Sequence, residues 1–186
     1  MLSFNKKFVE GKEYEQYKSN SIPNKKMVIF TCMESRLVEL LPKALNIHNG
    51  DVKMVKNAGA IIRKPFDSII KSLLVAVYNL KAEQIIVIGH HDCGMSNVDT
   101  HELVANMEAK GISKETLNAI DYAGIDVHQE FHGFETVEES INQSVEIIRN
   151  HPLLPDYVKV HGLVIDPHTG QVDVVIRDPK STDSEF

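Results

Sequence analysis

Three side chains in this sequence have the types and spacing to hold a metal ion. Cys32 lies inside TCMESR, and His90 and Cys93 lie inside GHHDCGM. They include the only 2 cysteines of the chain. Thiolate and imidazole are ligands that Zn²⁺ prefers, and three protein ligands leave a fourth tetrahedral position for water. A structural zinc site is normally closed by four protein ligands, so a three-ligand set points to a catalytic metal. The competing readings are plain ones. A lone cysteine is commonly a small core residue. A disulfide suits a secreted protein, and MLSFNKKFVEGKEYEQYKSN has no apolar signal core. His90-x-x-Cys93 places nitrogen and sulfur close together on the turn leaving a strand, with Cys32 arriving from another strand end.

The elements that must deliver these residues alternate in type. Val28 to Thr31 reads as a short buried strand running into Cys32. Leu37 to Leu45 has helical leucine spacing, with Pro42 either kinking it or sitting near an end. Asp51 to Asn57 alternates like a strand and enters the Ala58-Gly59-Ala60 turn. Pro65 is expected to open a helix carrying Ile69, Ile70, Leu73, Leu74 and Val77, with Val75 and Ala76 making a second buried side. Gln84 to His90 is the clearest strand and ends on the histidine. Residues 97–122 read as polar helix, and Glu135 to Asn150 as a helix with Val137, Ile141, Val145 and Ile148 on one face. VKVHGLVI and QVDVVIR flank the turn formers DPHTG, giving a terminal β-hairpin. The fold class is therefore α/β: a mostly parallel sheet flanked by helices, with a C-terminal antiparallel hairpin. Ligands of such sheets bind at the carboxyl ends of strands, where Cys32, Gly59 and His90-Cys93 all fall.

Bulk properties narrow the class. The 186 residues are 42% apolar and 25% charged, with a formal net charge of −6 and a pI near 5.8. One domain spanning 1–186 is the economical reading, with residues 1–20 a helical arm and 180–186 a frayed tail. The acidic balance argues against a general nucleic-acid binder. No run approaches the roughly 18–20 apolar residues of a membrane span. A cytoplasmic, reducing home is expected, with both thiols free for a metal. There is no G-x-G-x-x-G, no phosphate-loop motif and no C-x-x-C.

TCMESR, the KNAGA turn and GHHDCGM, in that order and at those separations, resemble the β-class carbonic anhydrases, in their compact branch. The likeness is close from Met27 to Met95 and looser beyond. It implies zinc-dependent, reversible hydration of CO₂ to bicarbonate by attack of zinc-bound hydroxide. Cys32, His90 and Cys93 then fall on the metal ligands, and Glu34 and Arg36 on a catalytic carboxylate–arginine pair. Gly59 is a candidate for substrate binding, although backbone conformation is the stronger reason for a glycine there. The resemblance further implies a homodimer or higher homo-oligomer. Its N-terminal segment, with Phe4, Phe8, Tyr14 and Tyr17, would lie across the partner; the alternative is a helix packed on its own core.

The chain departs from the family at Glu34, where aspartate is usual. One extra methylene moves the carboxylate by roughly 1.5 Å, and a misplacement of about 1 Å can cost on the order of 100-fold in rate. Glu34 could still orient the water, could bind zinc as a fourth ligand, or could lose Arg36; retained activity is favoured. The rival functions are a zinc hydrolase of carbon disulfide or carbonyl sulfide, and a closed-site, non-catalytic zinc protein. Asp92 is read as a cap of the next helix in preference to a hydrogen bond behind the metal. His91, His101, His128, His132 and His161 are read as ordinary surface or core histidines, with a proton-shuttle role for His91 only a guess.

Overall fold

The computed structural model describes residues 1–181. Five strands form one sheet: β1 (Met27–Cys32), β2 (Val52–Asn57), β3 (Gln84–His90), β4 (Lys159–Ile165) and β5 (Val172–Ile176). Their order is β2-β1-β3-β4-β5; the first three pairings are parallel and β4–β5 is antiparallel. The α/β class and the terminal hairpin are as the sequence pattern predicts.

The central strands are apolar on both faces because both faces are covered. Along β1, Val28 and Phe30 point to one side and Ile29 to the other, following the period of two. On the first side, Ile85, Val87 and Val160 join them under α3 (Ser68–Tyr78) and α7 (Val137–Arg149). On the second, Ile29, Ile86, Ile88 and Leu163 receive Leu37 and Leu41 of α2 (Leu37–Ala44). Leu37 and Leu41 are each 0% exposed, a burial that contributes about 1.5–3 kcal/mol per side chain.

Local signals set the helix ends. Pro42 sits in the last turn of α2, where its missing N–H and its ring disturb little of the helix beyond. Pro65 does not open α3. The start is Asp67, whose carboxylate accepts the Ile70 N–H at 2.8 Å and so caps the helix at Ser68. Ala76 of α3 is buried, but Val75 is 50% exposed, so the helix is not covered on two full sides. The polar stretch expected over 97–122 is two helices, α4 (Thr100–Ala109) and α5 (Lys114–Tyr122), followed by a short α6 (Val127–Glu130). Gly111, at φ +101°, breaks the first two apart, and Asp99, Ser113 and Asp126 cap the three starts. None of the three helices buries a side chain.

At the N-terminus, α1 (Leu2–Glu10) is helical and a 3₁₀ turn covers Glu13–Tyr17. Neither buries a residue, and Phe4 is 70% exposed. The segment is therefore not a helix packed on its own core. At the other end, Lys180 donates its N–H to Asp178 and the Ser181 hydroxyl meets His161 Nε2. The remainder of the tail expected over 180–186 lies outside the described residues.

α7 approaches the sheet closely enough to dictate a glycine. A Cβ on Gly162 would come within 2.4 Å of Ile141 and 2.9 Å of Ile176 side-chain carbons. Gly162→Val should therefore overpack this layer and cost about 1–3 kcal/mol, measured as a lowered urea midpoint at unchanged slope. An unchanged midpoint would show that α7 yields freely.

Candidate metal centre

The order β2-β1-β3 sets three strand ends side by side. The chain leaves β1 toward β2 on one flank and returns as β3 on the other, so β1 and β3 border a topological switch point. Cys32 is the last residue of β1 and His90 the last of β3, while the Ala58–Ala60 turn follows β2. Cys93 comes three residues after His90, on the loop leaving β3. Cys32, His90 and Cys93 are 5%, 1% and 7% exposed. One ligating atom from each lies within 4.8 Å of the others, and the two sulfurs are 4.0 Å apart.

The imidazole is held in one sense. Its Nδ1 lies 2.7 Å from the His91 carbonyl oxygen, a contact that requires Nδ1–H to donate. Nε2 is then a lone pair, and it is buried with no protein hydrogen-bond partner. A buried, unpaired acceptor beside two sulfurs suits a cation. Cys32 also receives the Gly59 N–H at 3.3 Å. The Cys93 thiol lowers the Cys32 thiol below its ordinary range against the opposing effect of burial, with His90 and the Gly59 N–H helping; the Cys32 sulfur in turn pushes Cys93 up. A divalent metal would bind both sulfurs as thiolates.

Glu34 stands beside this trio without joining it. One carboxylate oxygen accepts the Arg36 backbone N–H at 3.0 Å and the Ser35 hydroxyl at 3.3 Å. The other accepts Arg36 Nη2 at 3.0 Å. The Arg36 guanidinium, foremost, holds the carboxyl down at about 2. Arg36 Nη2 also reaches the Asp92 carbonyl oxygen at 3.4 Å, tying the turn after β1 to the loop after β3. A pocket of about 390 Å³ opens over the trio, walled by Met33, Ala58, Gly59, Gly94 and Met95 as well as Glu34.

Two residues differ from the sequence reading. Asp92 caps no helix: it has φ +53°, and its carboxylate meets His168 Nε2 at 3.2 Å. His168, from the β4–β5 turn, was not singled out by its motif, since DPHTG signals only a turn. The other histidines do not line the pocket. His161 is fully buried and accepts the Asp178 N–H, while His101 and His128 stack at 4.5 Å between ring centres.

The carbonic anhydrase family model matches residues 27–172. The chain belongs to the β-carbonic anhydrases. Its relatives in this family include YtiB of Bacillus subtilis (strain 168), itself provisionally named a carbonic anhydrase, 51% identical over 177 residues and covered to 95% on both sides. The crystal structure of β-carbonic anhydrase isoform I from Trichomonas vaginalis superposes with a TM-score of 0.85 at 32% identity, over 95% of this chain and 96% of that one. A carbon disulfide hydrolase of Acidithiobacillus thiooxidans is 29% identical over 174 residues, 89% of this chain and 85% of its own.

Gly59 connects the β2 turn to that geometry. It has φ +79°, and a Cβ there would meet Ile61 at 2.8 Å and Met95 at 2.9 Å. Gly59→Ala should displace the N–H from Cys32 and weaken divalent-metal affinity about 10-fold, measured by chelator competition. Affinity equal to the parent chain would show that the Gly59 N–H does not tune the site.

Proposed function

We propose that this chain is a zinc enzyme that hydrates CO₂ reversibly to bicarbonate, with Cys32, His90 and Cys93 as its ligands. The observation that carries the reading is the capture of Glu34 by Arg36, which leaves a three-donor set facing an open pocket. Tetrahedral zinc with Zn–S bonds of about 2.3 Å would separate two sulfurs by about 3.8 Å; the 4.0 Å found needs little adjustment. Zinc held there would supply the nucleophile at neutral pH, since a bound Zn²⁺ lowers the pKa of water from about 15.7 to about 7.

The remaining chemistry belongs to the side chains. Glu34 accepts hydrogen bonds from Arg36 on both oxygens, yet each carboxylate oxygen has a further lone pair. It can therefore accept the O–H of the attacking water and turn the oxygen's free lone pair toward CO₂. Its carboxyl is held far below neutral pH, so Glu34 orients the water and does not store its proton. The proton passes to solvent at the pocket mouth. Met33, Ala58 and Met95 offer apolar walls that suit a small nonpolar substrate better than water. Gly59 contributes its backbone to the wall and to Cys32, with no side chain to obstruct the substrate.

The carbon disulfide hydrolase relative keeps a second substrate class in view, but no feature of these walls favours sulfur over oxygen. We further infer that the exposed arm, with Phe4 and Tyr17 outward, packs on a second copy. Stopped-flow CO₂ hydration on zinc-loaded protein should rise from about pH 7 to pH 9. Arg36→Ala should lower kcat/KM on the order of 100-fold with zinc retained. No turnover of the parent chain at any pH, with zinc bound, would overturn the reading; unchanged turnover in Arg36→Ala would remove Arg36 from the mechanism.

A further inference from the structure

Cys32 and Cys93 do more than share a ligand set. Their sulfurs are 4.0 Å apart, both thiols are free, and no other cysteine exists in the chain. A disulfide needs an S–S distance of about 2.05 Å, so closure requires a shift of about 2 Å. The loop that carries Cys93 has room to supply it. Gly94 has nothing within 4 Å of where a Cβ would stand, and both cysteines line a pocket that opens to solvent. A small polar oxidant can therefore reach them although each is nearly buried.

We propose that the site is a reversible redox switch, in which a hydroperoxide converts Cys32 and Cys93 to a disulfide and thereby releases the metal. The proposal rests on the reading of these residues as ligands. Cys32 is the better placed attacker, because the Gly59 N–H already points at its sulfur at 3.3 Å. Its thiolate attacks one peroxide oxygen, the O–O bond breaks, and the second oxygen leaves as water after taking a proton. Cys93 sulfur then attacks the Cys32 sulfenic acid; the S–S bond forms, the S–O bond breaks, and a second water leaves. Two electrons pass from the two sulfurs to the peroxide, and two thiols plus one hydroperoxide give one disulfide plus two waters (an alcohol and a water for an organic hydroperoxide). Of the three donors only His90 would remain, and the Glu34 carboxylate is engaged by Arg36 on both oxygens. No replacement ligand set is at hand, so the oxidised site lets go of its ion. Bound metal engages the same sulfur lone pairs, so oxidation is slower while it stays.

The test uses the zinc-loaded chain, one equivalent of hydrogen peroxide and a chromogenic zinc chelator. Expected are release of one zinc per peroxide consumed, an intact mass lower by about 2 Da, and a non-reduced peptide joining Cys32 to Cys93. A dithiol reductant with added zinc should restore both the mass and the metal. Cys93→Ser, lacking the resolving sulfur, should instead gain about 16 Da at Cys32 with one equivalent, and about 32 or 48 Da when peroxide is in excess. Zinc loss in the parent chain with added oxygen and no 2 Da decrease would overturn the switch, as would cross-linking between chains. A protein that bound no zinc at the outset would sink the ligand reading instead. The disulfide would then still be tested on the same sample, by the mass and the peptide map alone.

Discussion

The parallel pairing of β1 with β3 is the constraint from which the site follows. Its register sets Met27 against Gln84 and Thr31 against Ile88, so the two strands end within one or two residues of each other. The Thr31 hydroxyl, wholly buried, donates to the Ile88 carbonyl at 2.8 Å across the same pair. A buried hydroxyl without a partner costs about 1–3 kcal/mol, which disfavours slippage at the end of the strands where position matters. Slippage by one residue would also turn Ile29 and Ile86 away from α2 and expose an entire apolar set. The hydrophobic layers on both faces thus fix the register, and the register brings the Cys32 sulfur and the His90 ring together. Neither residue needs a dedicated scaffold of its own.

Charge balance accounts for the surroundings of that pair. Two thiolates and one neutral imidazole would neutralise a divalent cation. Glu34 and Arg36 form a second neutral unit beside it, 18% and 37% exposed at their side chains. An ion pair at that exposure contributes little to stability, so its importance is positional. Arg36 donates to Glu34 and to the Asp92 carbonyl oxygen, one on each side of the strand pair. Asp92 adopts φ +53° and extends its carboxylate to His168 in the β4–β5 turn. Three segments are thereby tied together beside the pocket through polar contacts, while Met33, Ala58 and Met95 keep part of its wall apolar.

Much of this was legible from the chain itself. β1 and β3 carry near-continuous apolar runs because each is buried on both faces, and such runs are hard to mistake. The cysteines and His90 stood out because thiolate and imidazole at strand ends have few other uses in that combination. What could not be read was decided by tertiary contacts. Pro65 looked like a helix opener, but the Asp67 carboxylate two residues on satisfies the N–H group that an α-helix leaves free. Residues 97–134 carry weak periodicity because their helices bury no side chain, so nothing in the pattern marks the break at Gly111. Asp92 resembled a cap, and only the return of the hairpin beside it reveals His168 as its partner.

The longer acidic side chain at Glu34 has a local resolution. From composition alone, an added methylene should carry the carboxylate about 1.5 Å too far. Here the side chain bends back on its own turn, where the Arg36 N–H, the Ser35 hydroxyl and the Arg36 guanidinium receive it. Two of those donors are fixed by the backbone turn and by the next residue, so the extra length is absorbed within three residues. The carboxylate then remains beside the donor trio instead of entering it. A fourth-ligand role for Glu34 would have to give up the guanidinium and the turn N–H together. Hydrogen bonds to charged groups are worth about 1.5–3 kcal/mol each, so two of them oppose closure of the site by glutamate as strongly as they hold it in place.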